Sequence, residues 1–247
     1  MKAAPEAQLR LLDLQELDTA LDRLDHRKRT LPELPEIKHA EERLGEFSDT
    51  QVAAQTEISD IDREQKKAEQ DVDQVRARAD RDQKRLDSGQ VGSARDLENL
   101  QSEIASLQRR QSDLEEVVLE VMERREEAET KLRDVDSDRE TSEKVLAELT
   151  ARRDTAYGEI DGEAELTKTA RAGVVTDIPD DLLKLYEKLR DQHRGVAATA
   201  LVRAQCQGCH LQLNTVELND IRAAAPDDVI RCEECRRILV RTKESGL

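Results

Sequence analysis

A hydrophobic repeat that steps alternately by three and four residues runs, in two registers, from residue 37 to residue 160. From Ile37 the positions read Ile37, Ala40, Leu44, Phe47, Gln51, Ala54, Ile58, Ile61, Gln65, Ala68, Val72, Val75, Ala79, Asp82 and Leu86. Twelve of these fifteen are apolar, against 36% of the whole chain. The second register opens at Leu97 and passes through Leu100, Ile104, Leu107, Gln111, Leu114, Val118 and Val121 to Ile160, with fourteen of nineteen positions apolar. Neither run contains proline. Such a period puts one narrow apolar stripe on a helix, and the stripe needs a second helix to cover it. The segment between the registers, residues 87–93, holds two glycines and two serines and reads as a turn. A short connection between long helices makes them antiparallel neighbours. The expected fold is therefore mainly α: a long antiparallel coiled-coil hairpin with its tip near residues 87–93.

Composition agrees with a thin seam. The only aromatic residues are Phe47, Tyr157 and Tyr186, and tryptophan is absent. A single large globular core is excluded on that basis. A deep apolar substrate pocket is not expected either, and the reading is non-enzymatic with no small-molecule substrate. No run of 18 apolar residues exists, so no membrane-spanning helix is expected. The first residues lack a signal-peptide pattern, and the expected location is cytoplasmic. Gln51, Gln65, Gln111 and Arg125 interrupt the seam and are expected to fix register.

An N-terminal helix precedes the hairpin, with Leu14, Leu17, Leu21, Leu24 and Leu31 on its seam. Pro32 and Pro35 are expected to kink it near residues 32–35. It then covers the far part of the third helix, which carries Gly158, Gly162 and Gly173. The hairpin domain is set at residues 1–173. Residues 174–195 form a linker and a short helix, with Asp177 as the expected N-cap, Leu182, Leu185, Tyr186 and Leu189 on one face, and Gly195 as the stop. Tyr186 reads as a packing anchor.

Residues 196–247 hold all four cysteines, as Cys206-x2-Cys209-x22-Cys232-x2-Cys235. Two CxxC pairs some twenty residues apart can place four thiolates around one Zn2+. Residues 196–202 read as a strand into the first pair, and Ile238, Leu239 and Val240 as a strand out of the second, the order of a zinc ribbon. Four protein ligands leave no open position, so the site is structural. It also supplies folding energy to a segment with few large apolar side chains. Disulfides are disfavoured in a reducing compartment, and His210 reads as a non-ligand because the shell is already full.

Formal net charge is −16, which argues against bulk attraction to nucleic acid. Two stretches depart from this. Arg231, Arg236, Arg237, Arg241 and Lys243 make the final strand region basic and are candidate contacts to a phosphate or an acidic protein; the alternative is a balanced surface, since Glu233, Glu234 and Glu244 lie beside them. Residues 76–95 hold six basic side chains against three acidic ones. There Arg81, Lys84, Arg85, Asp87, Arg95 and Asp96 are candidate tip contacts, and the alternative is a solvated surface of mixed charge.

A coiled-coil hairpin followed by a C4 ribbon resembles one bacterial family, on the strength of Cys206-Gln-Gly208-Cys209-His210, of Cys232-Glu-Glu-Cys235-Arg236-Arg237-Ile238-Leu239 and of the Gly-Ser tip. The family has flagellar and type III secretion members that act as chaperones or adaptors. The resemblance implies binding to proteins such as an alternative sigma factor or secretion components, and in some members to mRNA. Family members commonly carry glycine where Arg236 stands, so the second knuckle departs from the pattern.

Two functions are carried forward. The first is a non-enzymatic, chaperone-like adaptor that binds a protein partner through the ribbon, with RNA or DNA as a further class of partner and the hairpin as a rigid arm. The second is a coiled-coil transcription regulator that contacts RNA polymerase through the hairpin tip, which the basic residues around Asp87 and Asp96 weaken. Pairing of two copies into a homodimer is left open by the long, alanine-bearing seams. A zinc enzyme lacks both an open ligand position and a His/Glu constellation, since His26, His39, His193 and His210 are scattered.

Overall fold

The computed structural model describes residues 1–89 and 91–247; Gln90, within the predicted tip, lies outside the described residues. The order of elements is α1 (Pro5–Arg29), α2 (Glu33–Asp87), α3 (Ala94–Val175), α4 (Asp180–Gln192), β1 (Ala198–Val202), β2 (Gln205–Cys206), α5 (Thr215–Ala223) and β3 (Ile238–Arg241). The fold is mainly helical: α1 and α2 pack along α3 as a hairpin, and a small three-stranded sheet follows. Contacts divide the chain into two compact units, residues 35–150 and residues 1–34 with 151–247.

In the first unit the heptad seams are buried or half-buried at every predicted position of α2 from Ile37 to Leu86. Ile61, Val121 and Ala128 form its tightest cluster, with Ile58 packed against them. Two of the four polar seam residues bond across the helices. Gln51 donates to Asp136 Oδ1 at 2.8 Å and accepts from Arg139 at 2.9 Å, and Arg125 Nε donates to Asp62 at 2.6 Å. Gln65 and Gln111 instead bond Glu69 and Glu115 on their own helices. At the tip, the Ser93 hydroxyl accepts from the Asp96 N–H at 3.2 Å and donates to its carboxylate at 2.7 Å, which starts α3. Gly89 takes a φ of +68°, open to glycine without strain.

In the second unit the helix is interrupted at residues 30–32. Pro35 sits inside the first turn of α2, where its missing N–H removes no helical bond. Helix α1 buries two stripes rather than one. Its leucine stripe faces α3, where Lys28 pairs with Asp161 at 2.6 Å. Its second stripe is largely polar: Gln8, Leu11, Gln15 and Asp18 are all buried. Helix α4 starts at Asp180 behind Pro179, with no side-chain cap. The expected cap, Asp177, is turned to Arg10 Nε at 3.3 Å, because the proline already fixes the entry to the helix. Gly195 takes a φ of +94° and donates its N–H back to the Arg190 carbonyl, which closes α4.

The sheet has the order β2-β1-β3, with β1 antiparallel to β2 and parallel to β3. Arg203 and Ala204 join β1 to β2 with positive φ at both positions, the form a tight two-residue hairpin requires. Helix α5 lies between the cysteine pairs. Its start is a capping box in which the Asn214 side chain accepts from the Glu217 N–H, and the Glu217 carboxylate accepts from the Asn214 N–H. No helix among the described residues is long and apolar enough to cross a membrane.

Candidate metal centre

Each cysteine pair stands where the backbone reverses. The first begins with Cys206 at the end of β2, and an added Cβ at Gly208 would meet the Arg237 side chain at 3.0 Å and Thr199 at 3.2 Å. The second precedes β3. The fold thereby brings Cys206, Cys209, Cys232 and Cys235 together, with their four sulfurs within 4.8 Å of one another. Cys206 and Cys235 Sγ are 3.8 Å apart, and Cys209 and Cys232 Sγ are 3.9 Å apart. A tetrahedron with Zn–S bonds of 2.3 Å has edges of about 3.8 Å. The donor set and its spacing therefore fit one Zn2+, as the sequence predicted. His210 is exposed and lies outside the cluster.

The surrounding backbone prepares the sulfurs for the metal. Burial pushes the Cys206 thiol up to about 12, partly offset by the N–H groups of Cys209 and Gly208. Burial raises Cys232 as well, against the N–H groups of Cys235 and Glu234. Burial alone would also raise Cys235, but the Arg237 N–H, the Cys232 thiol, the Arg237 guanidinium and Cys206 outweigh it and lower that thiol. A bound cation would reverse the cost of burial, because it holds the thiolate form directly. The arrangement orders a fold and leaves no ligand position for a substrate.

The basic residues at the ribbon's end divide into two groups. Arg241 donates to the carbonyls of Ala225 at 2.7 Å, Pro226 at 2.9 Å, Asp228 at 3.0 Å and Ala224 at 3.1 Å, so it organises the loop after α5. Arg237 Nε donates to the Val196 carbonyl at 2.9 Å and its Nη1 to the Gly208 carbonyl at 3.2 Å, tying the two knuckles together. Arg231, Arg236 and Lys243 are exposed, although Arg231 Nε donates to the Arg236 carbonyl at 2.8 Å. At the hairpin tip Asp96 is engaged with Ser93, and Asp87 accepts from Gln83 at 2.8 Å. Arg81, Lys84, Arg85 and Arg95 make no ion pair with another described residue.

The matches to known proteins follow the same division of the chain. A family model described as the CT398-like coiled-coil hairpin domain matches residues 14–194, and one described as a C4-type zinc ribbon domain matches residues 205–239. The chain belongs to the CT398-like coiled-coil hairpin family. Among solved structures, one from Mycobacterium smegmatis is 37% identical, covers 98% of this chain and 100% of its own, and superposes with a TM-score of 0.84. CT398 from Chlamydia trachomatis covers 96% of this chain and 98% of its own at 18% identity and a TM-score of 0.72. The HP0958 protein of Helicobacter pylori covers 97% and 98%, also at 18% identity, with a TM-score of 0.51. These last two share the fold. An uncharacterized Mycobacterium tuberculosis protein is 35% identical over 86 residues; that match spans 35% of this chain and 35% of the relative's length.

Within this CT398-like protein, the departure at Arg236 has a physical meaning. Arg236 takes a φ of +61°, the left-handed region that favours glycine. Its N–H still donates to the Cys232 carbonyl at 2.9 Å, so the knuckle closes in spite of the side chain. Arg236→Gly is expected to raise the stability of the zinc-loaded ribbon by about 0.5–1 kcal/mol. Thermal melts of the two proteins, followed by a probe in the ribbon, measure it.

Sequence reading missed three features around the centre. Helix α5 carried a usable signal, the Asn214-x-x-Glu217 box. The N-terminus carried none: Ala3 donates to the Asp227 carbonyl at 2.8 Å, and Val229 to that of Met1 at 3.1 Å. Gln15 also gave no signal. Its Oε1 accepts the N–H groups of Ala197 at 2.7 Å and Ala198 at 3.2 Å, and its Nε2 donates to the Gly195 carbonyl at 2.8 Å. Helix α1 therefore holds the entry into β1 through side chain to backbone bonds.

Proposed function

We propose that this protein is a non-enzymatic zinc-binding adaptor whose ribbon grips a protein partner. The observation that carries the reading is the closed shell of four cysteines. A metal held by four thiolates orders a surface and has no free position with which to activate water or substrate. The surface so ordered presents Leu211, 51% exposed, and Val216, 69% exposed, next to the first knuckle and at the start of α5. Exposed apolar side chains on a small metal-stabilised module suit contact with another protein. Arg231, Arg236 and Lys243 stand among the exposed Glu233, Glu234 and Glu244, so the rim around that patch is polar and of mixed charge. The family resemblance, which implies protein partners, supports the same reading.

The test is affinity capture from the native host with full-length protein and with the Leu211→Asp plus Val216→Asp double variant. Both are first checked for one zinc per chain and for unchanged helicity. A defined protein retained by the wild type, kept after nuclease treatment and lost with the double variant, is the expected result. Equal capture by both proteins overturns the ribbon as the contact. Loss on nuclease treatment makes the primary partner RNA.

A further inference from the structure

The charge of the hairpin changes sign toward its tip. Residues 76–110 hold eight basic side chains against six acidic ones, whereas the adjoining stretch, residues 64–75 with 111–123, holds two basic against nine acidic. Half of the acidity near the tip is engaged within the hairpin: Glu103 pairs with Arg78, Asp96 accepts from the Ser93 hydroxyl and Asp87 accepts from Gln83. The basic side chains are left over. Arg81, Lys84, Arg85, Arg95 and Arg110 are exposed and make no ion pair with another described residue. Arg78, Arg81, Lys84 and Arg110 line a groove of about 730 Å³ on the flank of the hairpin, and Asp80 is the one carboxylate in its wall. Val75 and Leu107 line it as well. Both belong to the coiled-coil seam, yet both are only half-buried, so the groove offers apolar surface between its charges.

We propose that this groove docks an acidic amphipathic segment of a partner protein, with carboxylates over Arg81, Lys84 and Arg110 and an aliphatic side chain against Val75 and Leu107. Four cations against one carboxylate, in a chain of net charge −16, mark a place where the protein attracts negative charge instead of repelling it. The basic wall is short. From Arg78 to Arg85 it runs roughly 10 Å of helix, a span that two turns of a peptide match. A nucleic-acid strand matches it less well. Its phosphates would run on from the groove into the acidic stretch that holds Asp71, Asp113 and Glu120, and residues 76–110 carry no aromatic side chain on which bases could stack. The apolar surface of Val75 and Leu107 likewise suits an aliphatic side chain and has no counterpart in a phosphate backbone. The groove lies wholly within the unit of residues 35–150, so this contact is independent of the ribbon surface proposed above. Its cations are exposed, and the attraction is screened as salt rises.

Fluorescence anisotropy on the zinc-loaded full-length protein tests this. The probe is a labelled peptide of about 14 residues, roughly 20 Å as a helix, with leucines three and four apart and glutamate elsewhere. One control replaces each glutamate by glutamine, and another is a single-stranded oligo-thymidine. The glutamate peptide is expected to bind at low ionic strength, more weakly as salt rises, and better than either control. The triple variant Arg81→Glu, Lys84→Glu, Arg110→Glu is expected to weaken it more than about tenfold. The milder Arg81→Gln, Lys84→Gln, Arg110→Gln variant is expected to act in the same direction, and decides the matter if charge reversal lowers the helicity seen by circular dichroism. Leu211→Asp plus Val216→Asp is expected to leave this binding unchanged. A glutamate peptide that fails to bind overturns the proposal, as does binding that both triple variants leave intact or that the glutamine peptide equals. Tighter binding of the oligo-thymidine, lost with the same triple variants, would make the groove a nucleic-acid site and overturns it too.

Discussion

Removing the metal with a chelator, or replacing Cys206 by serine, will unfold the ribbon and leave the long helices standing. The cluster around the centre contains Leu201, Cys206, Ile221, Cys232 and Leu239, so two of its five buried residues are themselves ligands. Without the cation those thiols return to the protonated form that burial favours, and little apolar area remains to offset the entropy of some thirty-five ordered residues. Structural zinc contributes about 10–16 kcal/mol in comparable small modules at neutral pH, which is more than such a core can replace. Hydrogen exchange should show it directly: amides between residues 205 and 239 lose protection, while the seam of α2 and α3, which holds no ligand, keeps it. The N–H groups of Ala197 and Ala198 are held by Gln15 and mark where the loss stops. Binding must displace protons from the sulfurs, most of all from Cys206, so zinc affinity falls as pH is lowered. Titration with a colorimetric chelator at several pH values follows that. Protection of residues 205–239 that survives complete removal of zinc would refute the account.

What could be read from the sequence and what could not separate along physical lines. The hairpin seam was legible because burial on a two-helix coil depends on spacing alone, and spacing is local. Even its exception has a local cause. Leu97 is 41% exposed because it lies in the first turn of α3, level with the connection rather than with α2. The four cysteines were legible because thiolate coordination demands a fixed number of sulfurs, and the spacing supplied them. Arg241 was read as a surface charge, yet it is spent on a ring of carbonyls, since side-chain identity does not say which backbone groups a loop will leave unpaired. Gln8, Gln15 and Asp18 look like the solvent face of α1. They are buried because the N-terminus and α4 close over them, contacts that join residues more than 150 positions apart. A period test counts apolar side chains and cannot register a polar stripe whose partners are backbone groups elsewhere in the chain.

Asp18→Ala is expected to be the most damaging single change outside the metal ligands, with a loss of about 3–5 kcal/mol. Its carboxylate is 1% exposed and is the point where three helices meet. It accepts from the Tyr186 hydroxyl of α4 at 2.7 Å and from Arg171 Nε of α3 at 2.6 Å, and Arg190 Nε stands 3.6 Å away. Alanine would leave a buried phenol and a guanidinium without their acceptor, whereas asparagine keeps an oxygen for one of them and should cost less, about 1–3 kcal/mol. The hydroxyl adds a dependence on pH. Burial, then the hydrogen bond to Asp18 and its charge, hold the Tyr186 phenol far above its usual value, against the lesser pull of Arg190 and Arg171. Below the ordinary tyrosine range the phenol is neutral in both the folded and unfolded chain, and its contribution is complete. As pH rises through about 10 the unfolded chain ionises it while the folded chain cannot, so stability falls on the alkaline side. Tyr186→Phe should therefore lower stability at pH 7 by about 1–2 kcal/mol, because Asp18 loses a donor, and should also flatten that alkaline decline. Urea denaturation at pH 7 and at several values above 9 separates the two effects. An Asp18→Ala protein as stable as the wild type would mean that the helices are held by the apolar cluster of Leu11, Leu14, Leu182 and Leu189 alone. A Tyr186→Phe protein with an unchanged alkaline decline would place the titrating group elsewhere.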